Sequence, residues 1–126
     1  MTLILDTSVL INLENERVGT IEKLSSLRKI HVDRPKISFI SYFEFIHGLR
    51  RKQPHNKYNS LLFIESFDVI QTTKTTAKIL SLLKEKYGEL SHSDLFIASQ
   101  TIENGMILVT EDRDFEKIAE LDKIIL

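Results

Sequence analysis

Five short, mostly apolar segments are spaced along this chain of 126 residues, and segments with helical periodicity lie between them. The apolar segments are residues 3–5, 37–40, 69–70, 106–109 and 124–126, and each predicts a buried strand. Strands that are apolar throughout and alternate with helices are typical of a parallel sheet that is covered on both faces. The sequence therefore predicts a three-layer α/β/α fold with a five-stranded parallel sheet.

Apolar residues three or four apart predict the helices between these strands. The predicted helices cover residues 7–14, 18–30, 73–87, 91–104 and 112–121, and two more begin at Ser41 and Pro54. The length is that of one domain, and no linker or repeat divides it, so residues 1–126 are predicted to form a single domain.

Composition excludes several classes of protein. The chain has no cysteine, which rules out a disulfide scaffold, a thiolate zinc site and a cysteine nucleophile. Its four glycines stand alone, which argues against phosphate-binding glycine loops. No apolar run is long enough to cross a bilayer, so we expect a cytoplasmic protein without a membrane partner.

The near-neutral net charge of −1 conceals two opposite regions. Residues 28–60 contain eight Lys or Arg against two Asp or Glu, whereas residues 103–122 contain two against seven. Such asymmetry is compatible with a polyanion surface beside a cation site, and equally with an ordinary solvated surface.

Four acidic residues occupy comparable positions in the predicted fold. Asp6 and Asp112 directly follow strands, and Glu44 and Asp94 lie in the first turns of predicted helices. Open parallel sheets bind ligands beyond the carboxyl ends of their strands, so these four carboxylates are expected to converge. Each also has a structural interpretation, as a helix cap or as a partner of a helix dipole.

Several close carboxylates repel one another unless they bind a cation or a proton. Two unit charges about 4 Å apart repel by roughly 4 kcal/mol at an effective dielectric constant near 20. Oxygen ligands favour Mg²⁺ or Mn²⁺, which can promote phosphodiester hydrolysis. A basic segment would then hold phosphates. The candidates for RNA contact are His47, Arg50, Arg51, Lys52 and His92.

Four segments carry a family resemblance. They are LILDTS at residues 3–8, ISYFE at 40–44, SDLFIA at 93–98 and LVTEDRDF at 108–115. In this order and spacing they resemble the motifs of PIN-domain ribonucleases, specifically the small VapC-type toxins of type II toxin–antitoxin systems. Each motif is weak alone, but the set of four spans nearly the whole chain.

The resemblance implies a parallel sheet of order 3-2-1-4-5 and Mg²⁺- or Mn²⁺-dependent cleavage of RNA. It also implies a homodimer and a cognate antitoxin that covers the site. Asp6, Asp94 and Asp112 would bind metal, and Glu44 would act through water. The residues implied to orient these carboxylates are Thr7, Ser8 and Thr110, and Asp114 is an auxiliary acid.

The last motif departs from the family pattern. Many relatives carry Asn there, with a longer gap before the Asp-Phe pair, whereas Glu111, Asp112 and Asp114 are crowded together in this chain. Both Asp112 and Asp114 are therefore candidates to face the metal, and Asp112 is preferred.

Three further functions are compatible with parts of the sequence. A phospho-accepting receiver domain has five strands and acids at strand ends, but Asp6 has no acidic neighbour and Lys123 precedes the last strand. A PIN fold could also serve as a housekeeping RNA-processing nuclease, or it could bind a partner without any catalysis.

Overall fold

A computed structural model describes all 126 residues. Its strands are β1 (Leu3–Leu5), β2 (Lys36–Ser38), β3 (Asp68–Ile70), β4 (Ile107–Thr110) and β5 (Lys123–Ile125). Its α-helices are α1 (Thr7–Glu14), α2 (Val18–Arg28), α3 (Phe39–Leu49), α4 (Pro54–Glu65), α5 (Lys74–Lys86) and α6 (His92–Glu103). No helix is both long and apolar enough to cross a lipid bilayer.

The strands form one sheet of order β3-β2-β1-β4-β5, and every neighbouring pair is parallel. This confirms the predicted α/β fold and the strand order that the resemblance implied. β1 lies at the centre, which explains why it is apolar and free of exposed residues. The strands therefore present their carboxyl ends at one common edge.

Alternation along β1 builds the two cores of the three-layer fold. Leu3 and Leu5 pack on one face with residues from α1, α2, α3 and α4, whereas Ile4 packs on the other face with residues from α5 and α6. All three side chains are fully buried. Burial of a side chain of this size contributes about 1.5–3 kcal/mol, so both helical layers are held firmly against the central strand.

The start of α3 differs from the prediction. The sequence predicted a strand over residues 37–40 and a helix that begins at Ser41 with Glu44 in its first turn. In the structure the strand ends at Ser38, whose Oγ accepts a hydrogen bond from the Ile40 amide at 3.1 Å. The helix therefore begins at Phe39, and Glu44 lies in its second turn.

A buried glutamine explains why α3 begins there. Gln100 of α6 is fully buried, and its Oε1 accepts hydrogen bonds from Ser38 Oγ at 2.8 Å and from the Phe39 amide at 3.0 Å. Its Nε2 donates to the Ile70 carbonyl at 3.2 Å. These bonds join α6 to the start of α3 and to the end of β3, so they set the positions of two helices that carry acidic residues.

The predicted helix over residues 112–121 is wrong. This region holds only a 3₁₀ helix, Arg113–Lys117, followed by an extended connection to β5. Phe115, Ile118 and Leu121 recur every three residues, and all three are buried. A spacing of three suits a 3₁₀ helix, and the remaining residues must reach a strand that pairs directly with β4. The other predicted boundaries lie within two residues of the observed ones.

Candidate metal centre

The candidate site lies where the strand order changes direction. From β1 the chain builds β2 and β3 on one side, and it then returns to build β4 and β5 on the other. Asp6 follows β1 and Asp112 follows β4, so these two acids leave neighbouring parallel strands at the same edge. Ligands of open α/β sheets bind at this kind of switch point, between strands whose connections diverge.

Asp6 is held rigidly at the end of β1. It is 4% exposed, and its Oδ1 accepts hydrogen bonds from Ser8 Oγ at 2.7 Å and from the Val9 amide at 3.2 Å. Its Oδ2 accepts a hydrogen bond from Thr110 Oγ1 at 2.5 Å. Asp6 is thus the N-cap of α1 as well as a candidate ligand. The capping role and the metal-ligand role that the sequence suggested for Asp6 are therefore compatible in one carboxylate.

Burial raises the pKa of Asp6 above its ordinary value. The hydrogen bonds from Thr110, Ser8 and Val9 act in the opposite direction, and the nearby charge of Asp112 adds to the increase. The hydroxyl groups of Ser8 and Thr110 therefore orient the carboxylate and partly compensate the cost of burying its charge.

Three carboxylates gather beside Asp6. Asp94, in the first turn of α6, lies with Asp112 and Asp114 so that one oxygen of each is within 4.8 Å of the others. Asp94 and Asp112 are partly buried, and Asp114 is exposed, with an Oδ1 that lies 3.9 Å from Lys117 Nζ. Such oxygen donors match the ligand preference of Mg²⁺ and Mn²⁺.

Burial and like charges both oppose the ionisation of Asp94. Its pKa is raised to about 6, first by burial and then by the charge of Asp112, with smaller increases from Asp114 and Asp6. A carboxylate whose ionisation is opposed by three others is stabilised by a cation among them. The donors thus fit a divalent cation in chemistry as well as in proximity.

The structure brings Asp112 and Asp114 of the last motif to the cluster, although they act differently. Asp112 raises the pKa of both Asp6 and Asp94, whereas Asp114 affects Asp94. Asp112 is also held more tightly, because its amide donates to Thr110 Oγ1 and its Oδ1 accepts from the Asp114 amide, both at 2.9 Å. Thr110 therefore links Asp6 to Asp112, which makes Asp112 the more central of the pair.

Glu44 of α3 is held from the first residue of α1. Its Oε1 accepts a hydrogen bond from Thr7 Oγ1 at 2.8 Å, and the same hydroxyl lies 3.1 Å from Ser41 Oγ. Thr7 is adjacent to Asp6 in sequence, so α1 positions two acids at once. Glu44 does not belong to the compact group of three.

Glu111 points away from the other acids of its motif. Its carboxylate accepts hydrogen bonds from Asn12 Nδ2 and from Thr20 Oγ1, and the Thr20 distances are 3.2 and 3.3 Å. These bonds connect the loop after β4 to α1 and α2, so they fix the segment that carries Asp112. No local pattern pointed to Asn12 and Thr20, since the two lie far from Glu111 along the chain.

The predicted RNA-contact residues are dispersed. His47 stacks on Phe43, with ring centroids 5.7 Å apart, and contacts the Arg50 guanidinium. Lys52 pairs with Glu14, so it is less free to hold phosphate than the sequence implied.

The remaining two candidates lie in different regions, since Arg51 follows Arg50 at the end of α3 and His92 begins α6. Arg51 is exposed. His92 lines an open cavity on the α5 side, together with residues such as Leu80 and Lys84.

Comparison with known families identifies the class of protein. A family model described as the PIN domain matches residues 3–121. Because this match covers most of the chain, the protein belongs to the PIN-domain family, whose members are nucleases that generally use divalent metals. The receiver-domain hypothesis is therefore wrong, and the strand order agrees, since receivers have the order 2-1-3-4-5.

Solved structures with this fold include toxin–antitoxin complexes. VapBC2 from Rickettsia felis, bound to a promoter DNA fragment, matches with a TM-score of 0.85 and 21% identity, over 100% of this chain and 99% of that one. VapBC-1 from nontypeable Haemophilus influenzae matches with 0.82 and 22%, over 99% and 98%. VapBC-5 from Mycobacterium tuberculosis matches with 0.73 and 20%, over 100% of both chains. No curated protein matches in a sequence search.

Proposed function

We propose that this protein is an Mg²⁺- or Mn²⁺-dependent endoribonuclease that acts as the toxin of a toxin–antitoxin pair. The observation that carries the proposal is the group formed by Asp94, Asp112 and Asp114 beside the buried Asp6, at the switch point of a PIN-family sheet. Carboxylates crowded in this way are costly without a cation, and a nuclease has a direct use for one.

The residues of the site would have different roles in metal binding and catalysis. Asp94 and Asp112 would hold the metal with Asp6, and Asp114 would assist from the exposed side. A divalent ion at this position would supply a Lewis acid for phosphodiester hydrolysis. Ser8 and Thr110 fix the Asp6 carboxylate before any ligand arrives. Glu44, which accepts a hydrogen bond from Thr7, would orient the attacking water and accept its proton.

Charge outside the cluster favours a polyanionic substrate. His47, Arg50 and Arg51 are exposed around the end of α3, the helix that also carries Glu44. Cations near this helix would bind phosphates on either side of the scissile bond, while the acids accept the metal. His92 is exposed near Asp94 in sequence and is a further candidate for RNA contact.

The toxin role is proposed from the structures that share this fold. In each of the three VapBC comparisons, the match covers nearly the full length of this chain and of the chain it is compared with. We expect a cognate antitoxin that covers the acidic edge, and a homodimer of the toxin itself. Phe39 and Phe43, which are about half exposed on α3, are suitable for such a dimer contact.

Cleavage of RNA with Mg²⁺, Mn²⁺ or EDTA tests the enzymatic proposal. The parent should cut single-stranded RNA with either metal and not with EDTA, whereas Asp94→Asn should lose activity. Asp122→Asn is a matched control, because Asp122 is an exposed acid that precedes β5 at the opposite edge of the sheet. Equal activity of the parent and Asp94→Asn would refute the assigned site.

Growth of a bacterial host tests the toxin role separately. Induced expression of the parent should arrest growth, and Asp94→Asn should not. RNA cleavage in vitro without growth arrest would instead favour a housekeeping role in RNA processing.

A further inference from the structure

We infer that the groove between α1 and α3 is a nucleobase subsite that selects guanine next to the scissile phosphodiester. This inference rests on the proposed function, because it names what the same nuclease would read in its substrate. It uses residues outside the acidic cluster, so the two proposals can fail separately.

The groove includes Glu44, the acid proposed to orient the attacking water. A cavity of about 230 Å³ lies between the two helices, with Thr7 and Glu44 at one end and Glu14 and Lys52 among its other lining residues. A second cavity of about 540 Å³ also includes Glu14 and Lys52, together with polar residues of α4 such as Asn56. The two cavities therefore share a wall, and a chain that enters beside Glu44 has a polar path that leads to α4.

Gly48 adds no side chain to the wall of the first cavity. It lines the cavity in the last turn of α3, where a Cβ would meet no protein atom within 4 Å. Glycine is one of the poorest helix formers, so its presence in α3 needs a reason. Close packing does not supply one, and neither does a left-handed helix end, since Gly105 is the only glycine with positive φ. At Gly48, unlike at Gly19 of α2, the open space belongs to a cavity.

The polar groups of the groove form an ordered pattern. Lys52 Nζ donates to Glu14 Oε1 at 2.5 Å and to Ser60 Oγ at 2.9 Å, which leaves one N–H of the ammonium. Glu14 Oε2 is the one buried side-chain polar atom in the protein that has no hydrogen-bond partner. A buried acceptor without a donor is costly, so this atom calls for a ligand that brings an N–H or O–H group.

Lys52 retains one donor, and Glu14 has two neighbouring carboxylate acceptors, of which Oε1 already accepts a hydrogen bond from Lys52. Guanine presents the complement along its Watson–Crick edge, namely the O6 acceptor followed by the N1–H and N2–H donors. Adenine, cytosine and uracil each lack two neighbouring N–H groups on that edge. Single-stranded RNA is commonly read through this edge by proteins, and a carboxylate that accepts two parallel hydrogen bonds gives strong discrimination.

Mapping of cut sites in a random RNA pool tests the inference. The parent should cut next to guanosine. In a matched pair of oligonucleotides, replacement of that guanosine by inosine, which lacks the N2 amino group, should lower kcat/KM about tenfold or more, the size of one charge-assisted hydrogen bond. Glu14→Gln should lose the preference for guanosine over inosine, because the amide substitutes a donor for an acceptor.

A steric variant keeps the test valid if Glu14→Gln fails to fold. Gly48→Leu should fold at least as stably as the parent and should lower kcat/KM about tenfold or more, because the side chain fills the groove. Gly19→Leu is the matched control, since Gly19 is also helical and also has no atom within 4 Å of a Cβ, but it lies in α2 outside the groove. It should behave like the parent.

Two outcomes would overturn the subsite: no guanosine preference at the cut sites of an active parent, or an unchanged preference in Glu14→Gln. If the parent cuts no RNA, the proposed nuclease fails, and titration with guanosine and inosine 5′-monophosphates decides the subsite alone. Stronger binding of the guanosine nucleotide that is lost in Gly48→Leu and kept in Gly19→Leu supports it. Equal or absent binding of both overturns it.

Discussion

Asp6 and Asp94 lie at the same edge of the sheet, yet their surroundings act differently on the charge of each carboxylate. Asp6 is buried and receives three hydrogen bonds, from Ser8, Val9 and Thr110. Asp94 is partly buried and faces two further carboxylates, Asp112 and Asp114, within 4.8 Å. Burial is the main cause that raises the pKa of each, but only Asp6 has several donors to offset it.

The contrast shows how one site can combine a carboxylate of fixed orientation with a carboxylate whose protonation depends on a bound cation. The donors of Asp6 belong to the fold, so its orientation is set when β1 and β4 pair. Asp94 depends on a cation for much of its stabilisation, so its protonation state and that of its neighbours follow the metal. The first acid is therefore predicted to matter for folding and catalysis, and the second for catalysis alone.

Removal of either carboxylate should have the strongest effect and should separate the two roles. Asp6→Ala and Asp94→Ala should each lower RNA cleavage at least about 100-fold. Loss of a residue that only orients a metal ligand costs about 10–100-fold, and loss of the ligand itself should cost more. Asp6→Ala should also lower the free energy of unfolding by about 1 kcal/mol, because the N-cap of α1 is lost. Asp94→Ala should not lower it in metal-free protein. Equal losses of stability on urea denaturation would contradict the comparison.

The hydroxyl of Thr110 should have the next strongest effect. Thr110→Val removes the donor to Asp6 and the acceptor for the Asp112 amide, so metal affinity and activity should fall about 10–100-fold. Thr110→Ser keeps the hydroxyl and is the matched control. Calorimetric titration with Mn²⁺ measures the affinity, and equal affinities of Thr110→Val and Thr110→Ser would exclude the orienting role.

Metal should stabilise the fold through the carboxylate cluster. At Mg²⁺ concentrations about 100 times its dissociation constant, the free energy of unfolding should rise by about 2.7 kcal/mol. Thermal unfolding with Mg²⁺ and with EDTA measures this increase, which should persist in Asp122→Asn and vanish in Asp94→Asn. An increase of the same size in Asp94→Asn would place the metal elsewhere.

The weakest effect is a pH dependence of the metal-free protein. The pKa of Asp94 is about 6 in the folded state and 3.8 when unperturbed, so the folded state binds more protons between these values. Stability should therefore fall as pH rises from about 4 to about 6, and it should change little above that range. Asp94→Asn should have a shallower slope in denaturation series across this range. An identical slope would show that Asp94 does not titrate there.

Much of the fold followed from local patterns. The apolar runs located all five strands, and Asp6, Thr73 and Ser91 begin helices that start at or one residue from the predicted positions. Two predictions failed where distant residues decide the outcome. Ser38 begins α3 because Gln100 of α6 holds it, and the last helix is shortened because β5 must pair with β4.

Short segments of the chain were enough to predict the parallel α/β fold, and they placed Asp6 after the first strand and Asp94 in the first turn of its helix, because periodicity and capping act between neighbours. Packing in three dimensions was needed to learn that Asp114 joins Asp94 and Asp112 in the compact group, whereas Glu44 does not. It was also needed to learn that Glu111 turns away to Asn12 and Thr20, and that Gly48 and Glu14 border one groove. These arrangements depend on side chains brought together by strand order and helix packing, over distances that no local pattern encodes.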